Sequence, residues 1–222
     1  MNKHTRPADI ERTSMQIITQ ELQQRGIDLP EDHQAVVHRV IHTTADFEYA
    51  KTLRFTGNVV AHGIRALQEG TVIITDTNMT RAGISKVALK KFGGDVHCFM
   101  AEPEIADLAR QTDTTRAVAS MTYAAQHYPD AVFAVGNAPT ALIRLAELMR
   151  EGLRPSLIVA VPVGFVNVVE SKEELAAVCE QCDVPAIIAM GRKGGSTVAA
   201  AICNALLYSA ADMLDPSLRG WH

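Results

Sequence analysis

The sequence of 222 residues lacks several features that would assign it to common classes of protein. Its longest apolar run, residues 155–169, is interrupted by Pro162 and Gly164 and is too short to cross a bilayer. The formal charge is −4, so there is no basic surplus of the kind that binds nucleic acid. Aromatic residues make up only 5% of the chain, which gives little support to a site that stacks bases or sugars. We therefore expect no membrane and no nucleic acid among its partners.

The absence of a signal-peptide pattern and the small number of cysteines both bear on the cellular compartment. The N-terminal segment "MNKHTRPADIERTS" is polar and lacks the apolar core of a signal peptide. The chain has only four cysteines, which agrees with a reducing environment. We expect a cytoplasmic protein.

The cysteine pair "CEQC", Cys179 and Cys182, has the spacing of a redox pair or of half a zinc site. No second pair of cysteines or histidines lies nearby in the sequence to complete four zinc ligands. The pair also falls near the end of a predicted helix, where the helix dipole disfavours a thiolate. We interpret these cysteines as packing residues.

Five short apolar runs alternate with segments of helical periodicity. The runs are "TVIIT" (71–75), "DVHCF" (95–99), "AVFAV" (131–135), "SLIVAV" (156–161) and "PAIIAM" (185–190). Such runs are typical of strands that are buried on both faces of a parallel sheet. The helical segments cover about 84–92, 102–127 with a break, 138–151, 171–182 and 196–213. The pattern predicts an α/β fold, an open three-layer α/β/α sandwich with about five parallel strands.

The first 70 residues contain no convincing strand. The segment "DIERTSMQIITQELQQRG" has apolar residues at helical spacing, and residues 31–42 and about 58–69 predict further helices. We find no internal repeat and no flexible linker. The expected organisation is one domain over residues 1–222, with helices in 8–70 packed on an α/β core in 71–213.

Gly, Pro, Asn, Asp and Thr are concentrated directly after the predicted strands. The segments are "DTNMTRAG" (76–83), "MAEPE" (100–104), "GNAPTA" (136–141), "PVGFVNVVESK" (162–172) and "GRKGGST" (191–197). Turn chemistry explains any one of them alone. Because ligands of open parallel sheets bind at the carboxyl ends of the strands, all five together predict one shared pocket.

The segment "GRKGGST" predicts an anion site. Gly194 and Gly195 open a helix, where free backbone amides bind a carboxylate as readily as a phosphate. It is not a phosphate-binding loop of the Walker type, and no GxGxxG follows any strand, so a nucleotide enzyme is disfavoured. A second helix begins after Asn137 in "GNAPTA". With Arg116 and Lys172, these positions predict a ligand with several negative charges.

The segment "VVHRVIHTT" places His38 and His42 four residues apart on one helical face. On spacing alone, packing histidines are the most common explanation. A metal pair has no carboxylate or cysteine placed to complete it, so we expect no metal site. A general acid or base is the third alternative, since imidazole titrates near neutral pH.

Several segments together resemble the precorrin-8X methylmutase family, whose member in the cobalt-early, anaerobic pathway is called cobalt-precorrin-8 methylmutase. They are "RVIHTTADF", "DTNMTRAG", "GNAPTALIRL", "VPVGFVNVVESKEEL" and "GRKGGSTVAAAICNALL". The resemblance runs from about residue 7 to residue 208. The segment "HTTADF" is more similar to the cobalt branch of the family than to the oxygen-dependent branch.

The resemblance implies an isomerase of vitamin B12 biosynthesis that moves a methyl group between adjacent carbons of ring C, giving cobyrinate or hydrogenobyrinate. The implied substrate is a polycarboxylate corrin precursor. No organic cofactor is implied, and any cobalt belongs to the substrate. The implied assembly is a homodimer with the ligand between subunits.

The family's catalytic histidine matches His42, and its substrate contacts match Ser14, Arg39 and Arg116. The resemblance therefore favours His42 as the proton donor or acceptor and leaves His38 structural. For both arginines a surface ion pair is the alternative to carboxylate recognition. A tetrapyrrole carrier without chemistry is the alternative function.

Overall fold

A computed structural model describes residues 6–219 and contains a six-stranded sheet in the order β1-β6-β5-β4-β2-β3. The strands are β1 Leu53–Phe55, β2 Ile73–Thr75, β3 Val96–His97, β4 Val132–Val135, β5 Leu157–Ala160 and β6 Ala186–Ala189. β2 to β6 pair in parallel, which confirms the five predicted strands. β1 pairs antiparallel with β6.

The helices in the described residues begin with α1 Pro7–Gln24, α2 Glu31–Thr44, α3 Tyr49–Thr52, α4 Val59–Gln68, α5 Asn78–Gly83 and α6 Lys86–Lys90. The later ones are α7 Pro103–Gln111, α8 Arg116–His127, α9 Pro139–Arg150, α10 Val168–Cys182 and α11 Ser196–Ala210. A 3-10 turn, Pro216–Arg219, follows α11.

The sheet has two buried faces, as a three-layer sandwich requires. In β5, Leu157 and Val159 join the apolar cluster that contains α1, α2, α4 and α11. Ile158 and Ala160 join the opposite cluster, formed with α8, α9 and α10. Successive side chains of a strand point to opposite faces, so a strand covered on both sides is apolar throughout. The α/β/α sandwich is confirmed.

The expectation that the first 70 residues form no strand is wrong. Leu53–Phe55 forms β1, and its register pairs Leu53 with Ala189 and Phe55 with Ile187. Three residues at a sheet edge, with one side chain exposed, are too few to produce a periodic signal. The N-terminal region thus supplies part of the sheet as well as helices.

Two segments predicted as loops are partly helical. Residues 78–83 form α5 because the Thr77 hydroxyl accepts a hydrogen bond from the Thr80 amide and caps the helix. α10 begins at Val168, ahead of the predicted residue 171, directly after Asn167, whose φ of 57° turns the chain into the helix.

Candidate active site

The loops after β2 to β6 lie at one edge of the sheet, here called the carboxyl edge, because these strands are parallel. The segments that predicted a shared pocket, including 136–141 and 191–197, all begin there. Asn137 and Arg192 are exposed in these loops. The carboxyl edge is one of two places where the structure gathers predicted site residues.

A buried carboxylate shapes the loop after β4. Asp76 accepts hydrogen bonds from the amides of Gly136 (2.8 Å), Asn137 (2.7 Å) and Ala138 (2.7 Å). Burial raises the pKa of Asp76, while the three N–H donors oppose that rise by stabilising the carboxylate. Asp76 therefore fixes the backbone that presents the side chain of Asn137.

Gly194 allows the loops after β5 and β6 to approach backbone to backbone. A Cβ atom at this position would lie 2.1 Å from the Val161 carbonyl oxygen and 2.6 Å from that of Pro162. Gly195 donates its amide to Val161 at 2.8 Å and has a φ of 130°. Both predicted glycines thus shape the start of α11 at the carboxyl edge.

Lys172 lies in the interior, although the sequence predicted that it binds a substrate carboxylate. Its Nζ donates to the carbonyl oxygens of Gly191 and Lys193, each at 2.8 Å, and the residue has no exposed surface. Burial lowers the pKa of Lys172 to about 8. This geometry offers no ammonium proton at the surface, so we assign Lys172 the positioning of the loop after β6.

Lys193 connects that loop to the end of α2. Its Nζ lies 2.6 Å from an oxygen of Asp46 and 2.6 Å from an oxygen of Glu48. The neighbouring Arg192 lies over the ring of Phe165, 5.5 Å from the centroid. Of these two cations, Lys193 is thus matched by carboxylates of the chain itself.

Arg116 is exposed at the first residue of α8, which starts at the carboxyl edge. The preceding Thr115 accepts a hydrogen bond from the Val118 amide and donates to Thr140 at the start of α9. The starts of α8 and α9 are therefore adjacent, and Arg116 shares this surface with Asn137.

His42 belongs to a second group of site residues, which lies in the helical layer that contains α1, α2 and α11. It is exposed on the last turn of α2. Partial burial lowers the pKa of His42, and the cations Arg39 and Arg219 lower it further, while Glu11 opposes them. The imidazole of the free protein is therefore mainly neutral at pH 7.

Arg39, a predicted substrate contact, already has a carboxylate partner in the chain. Its Nη2 lies 2.7 Å from Oε1 of Glu11, and the side chain is only 12% exposed. Its guanidinium also lies 5.3 Å from the ring centroid of Tyr208. The structure thus supports the ion-pair alternative for Arg39.

Ser14 lies on α1, three residues after Glu11. Its hydroxyl donates to the Ile10 carbonyl oxygen at 2.9 Å, and the residue is half-buried. α1, α2 and the 3-10 turn Pro216–Arg219 meet around Glu11, and we call this region the helical junction. Ser14, Arg39 and His42 belong to it.

Sequence reasoning missed Glu11 and Arg219, the residues that hold the helical junction together. Glu11 falls on the stripe of α1 that also carries Ile18 and Leu22, all three buried. A charged residue on an apolar stripe is a signal that it has a buried partner. Nothing in the sequence identifies that partner, since Arg219 is 208 residues away.

A surface hollow of about 530 Å³ lies at the opposite, amino edge of the sheet. Its lining includes the acidic residues Glu69, Glu180 and Asp183 beside Arg65 and His62, and this acidic excess disfavours a carboxylate-rich ligand. Within residues 6–219, no cluster of three or more His, Cys, Asp or Glu residues could hold a metal ion. In the same part of the chain, no helix has the length and apolar character needed to cross a membrane.

Comparison with known proteins agrees with the resemblance. The family model described as precorrin-8X methylmutase matches residues 9–209. The cobalt-precorrin-8 methylmutase of Priestia megaterium is 39% identical over 90% of this chain and 87% of that protein. The Salmonella typhimurium enzyme of the same name is 44% identical over 79% and 81%. A crystal structure of precorrin-8X methyl mutase from Thermus thermophilus superposes with a TM-score of 0.83 and 42% identity, covering 92% of this chain and 96% of that one. The chain therefore belongs to the precorrin-8X methylmutase family.

Proposed function

We propose that the chain isomerises precorrin-8 or cobalt-precorrin-8 by moving a methyl group between adjacent carbons of ring C, and that His42 transfers the proton. Membership of the family makes the chain an isomerase that acts by methyl migration in cobalamin biosynthesis. The observation that supports the role of His42 is its position, an exposed imidazole on the last turn of α2 beside the Arg39–Glu11 ion pair.

The environment of His42 suits a general acid whose imidazole becomes protonated when the substrate binds. In the free protein, partial burial and the nearby guanidiniums lower the pKa of His42. A bound polycarboxylate brings negative charge, which favours the imidazolium. Substrate binding then protonates the ring, and protonation of the macrocycle shifts its conjugated system towards the tautomer that rearranges. General acid catalysis of this kind contributes about 10²–10⁴-fold in rate.

The carboxyl edge supplies contacts that fit a macrocycle with many carboxylates. Arg116 and Asn137 present a guanidinium and an amide there, and the first amides of α11 follow Gly194 and Gly195. The loop residue Phe165 is 82% exposed and offers apolar surface to the ring system. We propose that no organic cofactor takes part and that any cobalt belongs to the substrate.

We propose a homodimer with the substrate between the subunits. His42 lies in the α1–α2–α11 layer, whereas Arg116 begins α8 in the opposite layer, so a second copy brings both kinds of residue to one ligand. An exposed apolar patch flanks Ser14 and fits such a copy. The patch consists of Ile10, Ile17, Leu214 and Leu218.

Two finer points are also proposals. The names of the Priestia megaterium and Salmonella typhimurium relatives support cobalt-precorrin-8 as the natural substrate. The cysteines at 98, 179, 182 and 203 are free thiols, which supports the cytoplasm as the compartment.

The test is to incubate the purified protein with precorrin-8 or with cobalt-precorrin-8 and to follow the conversion of this pigment by its visible spectrum. We expect His42→Ala to lower the rate about 10²–10⁴-fold, since it removes the proton donor. His38→Ala, four residues earlier on the same helix, is the control and should retain activity. An active His42→Ala protein contradicts the assignment, and a wild-type protein that returns its pigment unchanged is a carrier.

A further inference from the structure

Glu11 is the central residue of the helical junction. Its Oε1 accepts a hydrogen bond from Nη1 of Arg219 at 2.6 Å and forms an ion pair with Nη2 of Arg39 at 2.7 Å. The side chains of Glu11 and Arg219 are 4% and 3% exposed. A single carboxylate oxygen therefore joins α1 to both α2 and the C-terminal turn in the interior of the protein.

The C-terminal turn holds Arg219 in one orientation. Nε donates to the Met213 carbonyl oxygen at 2.8 Å, and Nη2 donates to that of Leu214 at 2.6 Å. The guanidinium lies 4.0 Å from the ring centroid of Tyr208, the same ring that Arg39 approaches. The fork of Arg219 is thus fixed before it reaches Glu11, and this lowers the entropy lost in forming the ion pair.

The charges of the junction do not cancel. Burial alone raises the pKa of Glu11, but the hydrogen bonds and charges of Arg39 and Arg219 lower it overall, so Glu11 is ionised at neutral pH. One carboxylate between two guanidiniums leaves a net positive charge. His42 lies one turn beyond Arg39 on α2 and experiences all three charges.

We propose that Glu11 and Arg219 are positioning residues of the His42 site: Arg219 holds Glu11, and Glu11 holds Arg39 one turn before the imidazole. The inference rests on the proposed role of His42 in proton transfer. The charge of the junction then sets how readily His42 takes up a proton. The groups that face this region are Glu11 on α1, Arg39 on α2, Tyr208 on α11 and Arg219 on the C-terminal turn.

The experiment is an NMR titration of the His42 imidazole in the full-length protein, with a parallel measurement of kcat against pH. Arg219→Gln removes a positive charge and should raise the titration midpoint of His42 by a few tenths of a pH unit. Glu11→Gln removes the negative charge and should lower it by a similar amount. Because the imidazolium is the acid, the basic limb of the kcat profile should move in the same direction as the midpoint.

Two further variants separate positioning from general stability. Arg219→Lys keeps the charge but loses the fork, so it should lower stability while leaving the midpoint close to that of the wild type. Arg12→Gln removes the exposed ion pairs with Asp9 and Asp215 at the same corner and should leave the midpoint unchanged.

Midpoints that stay fixed in Arg219→Gln, or that move in the same direction in Arg219→Gln and Glu11→Gln, overturn the inference. If Glu11→Gln does not fold, a midpoint that rises in Arg219→Gln but not in Arg219→Lys supports it, and any other pattern overturns it. Opposite shifts without a matching movement of the kcat profile support the positioning of the imidazole and count against His42 as the catalytic acid.

Discussion

The carboxyl edge and the helical junction both place their buried charges behind the exposed site, but the partners of those charges differ. At the carboxyl edge, the hydrogen bonds of Asp76 and Lys172 within residues 6–219 all go to backbone amides and carbonyls. At the helical junction, Glu11 binds two guanidiniums. Charge at the edge therefore fixes the path of the chain, whereas charge at the junction is paired with other charge and leaves a net positive charge one helical turn from His42.

This difference predicts different consequences of substitution. A change at the edge leaves backbone groups without partners or forces them apart, so it acts first on stability and loop structure. A change at the junction leaves a buried charged group without its partner, so it also lowers stability, and in addition it alters the electrostatic environment of the imidazole. Stability measurements therefore report on both regions, whereas the titration of His42 reports on the junction.

The largest expected effect at the carboxyl edge is that of Gly194→Ala. Its Cβ would lie 2.1 Å from the Val161 carbonyl oxygen, a backbone atom that cannot rotate away. We expect the free energy of unfolding to fall by about 3 kcal/mol, the upper part of the usual range for overpacking. Denaturant unfolding measures it.

Gly191→Ala in the same loop is the matched control for Gly194→Ala. Gly191 has a φ of 76° and no atom within 4 Å of the added Cβ. Its substitution should cost only the conformational penalty of about 1–2 kcal/mol. Equal losses in the two variants would refute the close backbone approach as the reason for Gly194.

Lys172→Met should have the next largest effect. It leaves the Gly191 and Lys193 carbonyls without their donor, and an unsatisfied buried acceptor costs about 1–3 kcal/mol. We expect a net loss of about 2 kcal/mol in the free energy of unfolding at pH 7, since removal of the buried charge offsets part of the cost. The exposed Lys90→Met is the control.

The difference in the free energy of unfolding between the wild type and Lys172→Met should also change with pH in a defined direction. Burial lowers the pKa of Lys172 to about 8, from 10.5 in the unfolded chain. Between these values the unfolded chain binds more protons, so the stability of the wild-type protein rises with pH there relative to Lys172→Met. A constant difference between pH 7 and pH 10 would mean that the buried ammonium does not titrate as its surroundings require.

The smallest expected effect is that of Arg116→Gln, because this side chain is exposed and binds no interior group that the structure shows within residues 6–219. Loss of one carboxylate contact should raise the substrate Kd about tenfold, which corresponds to about 1.4 kcal/mol. kcat for bound substrate should change less than Kd. Arg110→Gln, on the exposed side of α7, is the control, and an unchanged Kd in Arg116→Gln would count against substrate recognition by Arg116.

The strands and most helices were predictable because their signal is local. β4 and β5 are apolar throughout and buried on both faces, which the sequence shows directly. β1 was not predictable, because three residues at a sheet edge produce no period and depend on their partner β6. The cap at Thr77 similarly converts an expected loop into α5.

The binding partner of each charged side chain was the least predictable feature of the candidate site. In the sequence, Lys172, Arg39 and Arg116 all fit carboxylate recognition. Only the fold shows that Lys172 faces two carbonyls and that Arg39 faces Glu11. Their partners are distant in sequence or are backbone atoms, so neither spacing nor residue type identifies them.

β1 completes a closed series of contacts that includes α2, the helix that carries His42. From α2 the chain passes Asp46 and enters β1, which pairs with β6, and the loop after β6 leads to Lys193, which returns to Asp46. A hinge between α2 and the loop after β6 would have to break this series of contacts at the β1–β6 strand pair or at the Lys193–Asp46 ion pair. We therefore expect the two to move as one rigid block during turnover, with substrate entering along a path that leaves their spacing unchanged.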